Sequence, residues 1–136
     1  MNKHFLRGMA TLNFYADDVV AARAWYERLF GIKAYFAMPE DAPAYIEFRL
    51  GDDADEFGII DRKYAPKAMQ PGPGGAIVNW HVDDLEGTFK TLIEAGATVY
   101  EPITPRSGGF VTASVVDPFG NVLGIMTNPH FMELHS

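Results

Sequence analysis

The sequence predicts an α+β fold of two βαβββ modules that share a curved mixed sheet shaped as a cup. Three observations carry that expectation. First, segments recur at a nearly fixed spacing. Residues 11–18 (TLNFYADD) return as residues 77–84 (IVNWHVDD), residues 45–52 as 110–117, and residues 58–60 (GII) as 124–126 (GIM), at shifts of 66, 65 and 66. Identities are few, so the shared apolar pattern is the signal. Second, each copy opens with a strand-like alternation that runs into a capped, helix-spaced segment. Third, residues 62–75 hold Pro66, Pro71, Gly72, Pro73, Gly74 and Gly75, a linker composition. The expected organisation is one domain over 1–136, with modules at 9–61 and 76–127, the linker at 62–75, and a tail at 128–136.

The elements follow in order. In 11–16, Leu12, Phe14 and Ala16 alternate with Thr11, Asn13 and Tyr15, as in a half-buried strand. Asp17 or Asp18 stands where a helix N-cap belongs. Val19 to Phe30 has helical spacing, with Val20, Ala24 and Leu29 on one stripe and Trp25 and Tyr26 beside it. Gly31 is a natural helix stop. A short strand is expected near 32–36, a loop over 39–43, and strands over 45–50 and 56–61. The second copy predicts a strand over 77–82, a cap at Asp83 or Asp84, a helix over 85–95 and a short strand over 98–100. A loop over 102–109 and a strand over 110–116 follow. The segment 117–121 (DPFGN) is a tight turn before a last strand over 122–126. The tail carries apolar residues with no predicted place.

Composition narrows the function classes. The chain has 136 residues, 48% hydrophobic and 21% charged, which is ordinary for a folded protein. With no cysteine, disulfides, thiolate metal sites and cysteine nucleophiles are excluded. The formal charge of −7 argues against nonspecific nucleic-acid binding. No apolar run approaches the roughly 18 residues of a membrane helix, and the first residues do not read as a signal peptide. The expected location is therefore cytoplasmic. No dinucleotide or phosphate-cradling glycine motif is present, and Ser107 and Ser114 lack His and Asp partners at informative spacing.

The two βαβββ copies, the Asp caps, the Trp25-Tyr26 pair and the Asp-Pro-x-Gly-Asn turn together resemble the vicinal oxygen chelate superfamily. That group includes glyoxalase I, extradiol dioxygenases, methylmalonyl-CoA epimerase, and bleomycin and fosfomycin resistance proteins. The resemblance covers residues 11–127 and implies homodimers and a small-molecule ligand. In metal-dependent members it implies ligands from the first and fourth strand of each module. Aligned on the caps and turns, those positions are Thr11, Gly58, Ile77 and Gly124, none of them a plausible ligand. Neither a metal nor another cofactor is expected. The two glycines either admit close approach of a ligand or relieve sheet curvature.

Strand parity then lines the cup. Thr11, Asn13, Tyr15, Tyr45, Glu47, Arg49, Glu56, Gly58 and Ile60 come from the first copy. Ile77, Asn79, His81, Phe110, Thr112, Ser114, Val122, Gly124 and Met126 come from the second. Aromatics with a few convergent polar groups suit a small-molecule pocket. His81 with Glu47 is the most chemical pair, a possible general base and its carboxylate. The alternative is that His81 bonds the cup rim while Glu47 pairs with Arg49 or solvent. Asn13 and Asn79 are repeat-related and could hold a ligand, each other or water. His4, His81, His130, His135, Glu47, Glu56 and Asp61 are the remaining stock of metal donors. Two function classes follow: a metal-independent binding protein, similar to drug-sequestering members of the family, or a glyoxalase-like lyase or isomerase, metal-free or with a displaced metal.

Overall fold

The computed structural model describes residues 5–136. The chain falls into two compact units, one up to Lys67 and one from Ala68, so their boundary lies inside the expected linker. Each is a four-stranded mixed sheet with a helix on one face.

In the first unit, β1 (Leu12–Ala16) leads into α1 (Val19–Phe30), followed by β2 (Phe36–Met38), β3 (Tyr45–Leu50) and β4 (Asp55–Asp61). The sheet order is β1-β4-β3-β2, with β1 and β4 parallel and the other pairs antiparallel. Asp18 is the cap: its Oδ1 accepts the Ala21 N–H at 3.0 Å. Gly31 stops the helix at φ 71°, a left-handed conformation that costs a glycine little.

The buried stripe of α1 is Val19, Ala22, Trp25 and Tyr26. Of the helix-spaced residues, Trp25 and Tyr26 are buried, whereas Val20 is 59% exposed and Ala24 also faces out. Both stripes have helical spacing, and the one with the larger aromatic area takes the core. Tyr26 and Phe57 meet edge to face at 5.3 Å between centroids, Phe14 and Phe57 at 5.1 Å, and Phe30 and Phe48 at 5.3 Å. Ile46 and Ile59 complete this core.

β2 begins at Phe36, later than expected. The Glu27 carboxylate accepts the Ala34 N–H at 2.8 Å and so holds the chain in a turn over the helix end. Burial alone would raise the Glu27 pKa, but the Ala34 N–H and Arg23 outweigh it and hold the carboxyl below its ordinary value. The linker starts with order: Arg62–Tyr64 form a 3₁₀ turn capped by Asp61. Arg62 donates to Asp17 at 2.9 Å and to the Tyr15 carbonyl at 3.2 Å.

The second unit repeats the pattern with β5 (Val78–His81), α2 (Leu85–Glu94), β6 (Thr98–Pro105), β7 (Val111–Val116) and β8 (Val122–Thr127), in sheet order β5-β8-β7-β6. Asp84 is the cap, accepting the Gly87 N–H at 3.0 Å. Leu85, Leu92, Ala113, Val115, Leu123 and Ile125 are its buried core. Asp117 is buried, and its Oδ1 accepts the N–H groups of Phe119 and Asn121 at 2.9 and 2.8 Å, which closes the predicted turn.

Two expectations are corrected here. β6 extends to Pro105, over residues expected as a loop. Proline is tolerated because β6 is an edge strand, and register shifts between Val99 and Glu101 and between Glu101 and Thr104 absorb the irregularity. The tail forms α3 (Pro129–Leu134). Asn128 caps it by accepting the Phe131 N–H at 3.0 Å, and Pro129 sits in its first turn.

Candidate functional site

On each sheet, the face opposite the helix carries the predicted site residues. In the first unit, Asn13 on β1, Gly58 on β4 and Glu47 on β3 are direct cross-strand partners. In the second, Asn79, Gly124 and Ser114 form the same row across β5, β8 and β7. The duplication therefore extends to the register. The cross-strand partners of the two glycines are Asn13 and Asn79, two positions beyond Thr11 and Ile77. Thr11 instead reaches the Glu56 carbonyl, at 3.5 Å.

Each glycine is required by what lies over it. A Cβ on Gly58 would run into Asn13 Oδ1 and sit 2.7 and 2.9 Å from Tyr45 Cε1 and Oη. A Cβ on Gly124 would run into Asn79 Oδ1 and sit 2.5 Å from the Val78 carbonyl oxygen. The space each glycine leaves is met by the chain itself, Asn13 and Tyr45 over Gly58 and Asn79, Val78 and Ile77 over Gly124.

Around Gly58 the polar groups form one network. Tyr45 Oη donates to Glu47 Oε1 at 2.8 Å, and Arg49 Nε and Nη2 both lie 2.7 Å from Glu47 Oε2. Glu47 is only 8% exposed. The Tyr35 ring covers the Arg49 guanidinium at 4.3 Å, and Glu56 lies 3.9 Å from it. Burial, then the hydrogen bond and charge of Glu47, push the Tyr45 phenol far above its ordinary value, so it stays protonated. The Glu47 hydrogen bond also raises Arg49.

In the second unit His81 is enclosed by the tail. Its Nδ1 accepts the Asn128 backbone N–H at 3.1 Å, so the neutral ring carries its proton on Nε2. Nε2 lies 3.4 Å from Asp83 Oδ1, within ion-pair range for a protonated ring, but forms no hydrogen bond. Phe131 stacks on His81 at 4.8 Å, and His135 stacks on Phe131 at 4.0 Å. With the Nδ1 lone pair in use, His81 can act as a base only after α3 moves. Phe131→Ala is expected to raise the rate at which diethyl pyrocarbonate modifies His81 by about tenfold, because α3 buries none of its own residues and the Phe131 ring is what covers the imidazole face. An unchanged rate, read by peptide mass spectrometry, would show that α3 does not shield the ring.

Of the other expected residues, Thr112 accepts a hydrogen bond from Arg106 at 3.1 Å and pairs with Met126 across the ladder. Met126 is also the register partner of His81, and Phe110 immediately precedes β7. Tyr15 is the register partner of Ile60 on β4. Ser114 Oγ is buried without a hydrogen-bond partner among the described residues. His81 and Glu47 lie in different units, each committed to neighbours of its own. Nothing in the sequence pattern flags Tyr35 or Phe131, whose roles come from the fold. Asn128-Pro129, a helix-start signature, does foreshadow α3.

The donor set does not fit a divalent metal. Thr11, Gly58, Ile77 and Gly124 offer no imidazole or carboxylate, and both Glu47 oxygens are engaged by Tyr45 and Arg49. Among the described residues no three His, Asp or Glu side chains converge. His130 is exposed, and His4 lies outside the described residues. An open hollow of about 410 Å³ at the end of α1 is lined by Ala24, Glu27, Arg28, Gly31, Ile32 and Lys33. It belongs to the helix side, and its carboxylate Glu27 is already bonded to Ala34 and Arg23.

Two sequential βαβββ units, with strand order 1-4-3-2 in each, define a duplicated-module protein of the vicinal oxygen chelate class. The chain belongs to the Glyoxalase/Bleomycin resistance protein/Dioxygenase superfamily, whose sequence model matches residues 8–125. No curated protein matches it. Among solved structures it is similar to a glyoxalase-related enzyme from Fulvimarina pelagi, with TM-score 0.71 and 20% identity over 91% of this chain and 90% of that one. A lactoylglutathione lyase from Agrobacterium tumefaciens matches with TM-score 0.68 and 18% identity, over 92% and 96% of the two chains. A glyoxalase/bleomycin resistance protein from Catenulispora acidiphila matches with TM-score 0.61 and 22% identity, over 88% and 96%. At these identities the likeness is one of fold.

Proposed function

We propose that this chain is a metal-independent small-molecule-binding protein, working as a cytoplasmic homodimer and holding its ligand against the open sheet faces. The observation that carries this reading is that none of the four aligned metal positions, Thr11, Gly58, Ile77 and Gly124, carries a ligand side chain, while the two glycines lie across the ladder from the amides Asn13 and Asn79. Function in such folds lives in the site rather than the architecture. An amide packed over a glycine offers hydrogen bonds to an organic ligand, whereas it is a poor ligand for a divalent ion. Asn13, Tyr45 and Arg49 give the open face of the first unit the mixed polar and apolar lining that small-molecule sites use, and Asn79, Thr112 and Met126 do the same on the second. The negative net charge and the lack, among the described residues, of a helix able to cross a membrane agree with this reading.

Metal analysis of untagged protein tests it, repeated after dialysis against Ni²⁺, Zn²⁺, Mn²⁺ and Fe²⁺. Below about 0.1 metal per chain is expected, followed by thermal-shift hits in a small-molecule screen, since a ligand of the folded state raises the melting temperature. Near-stoichiometric metal would overturn the reading in favour of a glyoxalase-like lyase or isomerase.

A further inference from the structure

The floor of the first unit has a chemical polarity that its residues impose. The Tyr45 hydroxyl has one proton, and that proton is directed at Glu47 Oε1, 2.8 Å away. Toward Gly58 the phenol therefore presents only lone pairs. Asn13 Oδ1 comes to the same place, because both oxygens lie within 3 Å of the point a Gly58 Cβ would occupy. The missing side chain lets two acceptor oxygens converge with nothing between them. Behind them stand Glu47 and Glu56 against the single Arg49, a surplus of one negative charge. Arg49 is tied to Glu47 and covered by Tyr35, so it is poorly placed to receive an anion.

We infer that Asn13 Oδ1 and Tyr45 Oη form an acceptor pair that recognises a hydrogen-bond donor on the ligand, best a primary or secondary ammonium, and disfavours a carboxylate. The inference rests on the binding reading above and adds the ligand's chemical class. In metal-dependent relatives, acceptors at this level of the sheet would face a cation held by carboxylates or imidazoles. Here the two acceptors are neutral and the carboxylates behind them, Glu47 and Glu56, face Arg49, which suits N–H donors. Glu47 acts through Tyr45: it fixes the direction of the phenol proton and is a positioning residue.

The test uses the full chain and three probes on one benzyl scaffold: benzylamine, benzyl methyl ether and benzoate. Backbone amide NMR shifts are followed up to about 10 mM probe, a range that captures weak binding. Benzylamine is expected to shift the amides of residues 13, 45 and 58 and to bind about tenfold more tightly than the ether, as a charge-assisted donor allows. Benzoate is expected to leave those amides unmoved. Asn13→Ala, at an exposed position, should narrow the amine-to-ether ratio to about threefold, and Tyr45→Phe should do the same. If the ether equals the amine, if benzoate binds better, or if the ratio survives both substitutions, the donor inference falls while small-molecule binding stands. If no probe shifts any amide of either open sheet face, both readings fall.

Discussion

Gly124→Ala is expected to destabilise the second unit by about 2–4 kcal/mol, whereas Gly58→Ala should cost the first unit about 1–2 kcal/mol. The two glycines are repeat-related, so the difference comes from their neighbours. At Gly124 the new methyl group meets the Val78 carbonyl oxygen at 2.5 Å and Ile77 Cγ2 at 3.0 Å, besides Asn79 Oδ1. Val78 belongs to β5, which is bonded in parallel to β8. Its carbonyl cannot withdraw without opening the ladder. At Gly58 the three nearest atoms all belong to side chains, those of Asn13 and Tyr45. Asn13 can rotate outward, and Tyr45 can yield at the expense of its bond to Glu47. Asn13→Ala should therefore recover about 0.5–1 kcal/mol in the Gly58→Ala background, a coupling that a double-mutant cycle isolates. Urea unfolding measures all three. A Gly124→Ala protein within about 0.5 kcal/mol of the parent would show that β5 is looser than described. The asymmetry also means that a metal ligand placed at Gly124 would have to displace backbone.

Glu47→Ala is expected to cost about 2–3 kcal/mol. The carboxylate is nearly buried, and its loss removes the acceptor of the Tyr45 hydroxyl together with the partner of Arg49. The figure stays below that for a fully buried pair because the Arg49 side chain is 40% exposed and can find water. Glu47→Gln separates shape from charge. It retains an acceptor for Tyr45 but turns an amide NH₂ or an uncharged oxygen toward Arg49. In that variant burial still raises the Tyr45 phenol, but the charge of Glu47 no longer adds to it, so the phenol should titrate closer to its ordinary value than in the parent. Ultraviolet titration of tyrosinate reads this directly. A Tyr45 that still resists ionisation in Glu47→Gln would mean that burial alone keeps it protonated.

Much of this fold is legible along the chain because its signals are local. Period-two alternation, an aspartate followed by helical spacing, and the Asp-Pro-x-Gly-Asn turn each act over fewer than about ten residues and need no tertiary partner. Where two local readings competed, packing chose. Val20 and Ala24 have helical spacing as good as that of Val19 and Ala22, but only the latter side brings Trp25 and Tyr26 onto Phe57 and Phe14. Prolines that spell a loop around 102–105 occupy a strand because β6 is an edge.

The candidate site divides in the same way. The sequence by itself determined that no thiolate chemistry is available, that the expected metal positions lack ligands, and that Asn13 and Asn79 repeat one another. Tertiary structure alone decided what those residues do. It set Asn13 and Asn79 across the ladder from the two glycines, through the parallel pairing of β1 with β4 and of β5 with β8. It turned Glu47 toward Tyr45 and Arg49, laid Tyr35 over the guanidinium, and closed Phe131 over His81. Tyr35, Tyr45, Glu47 and Arg49 are close in sequence, yet their meeting depends on the pairing of β3 with β2 and β4. His81 and Phe131 are fifty residues apart, and their contact depends on a tail helix that starts only because Asn128 caps it. Alternation names the face a side chain occupies; the partners it finds there come from strands and helices that local spacing does not specify.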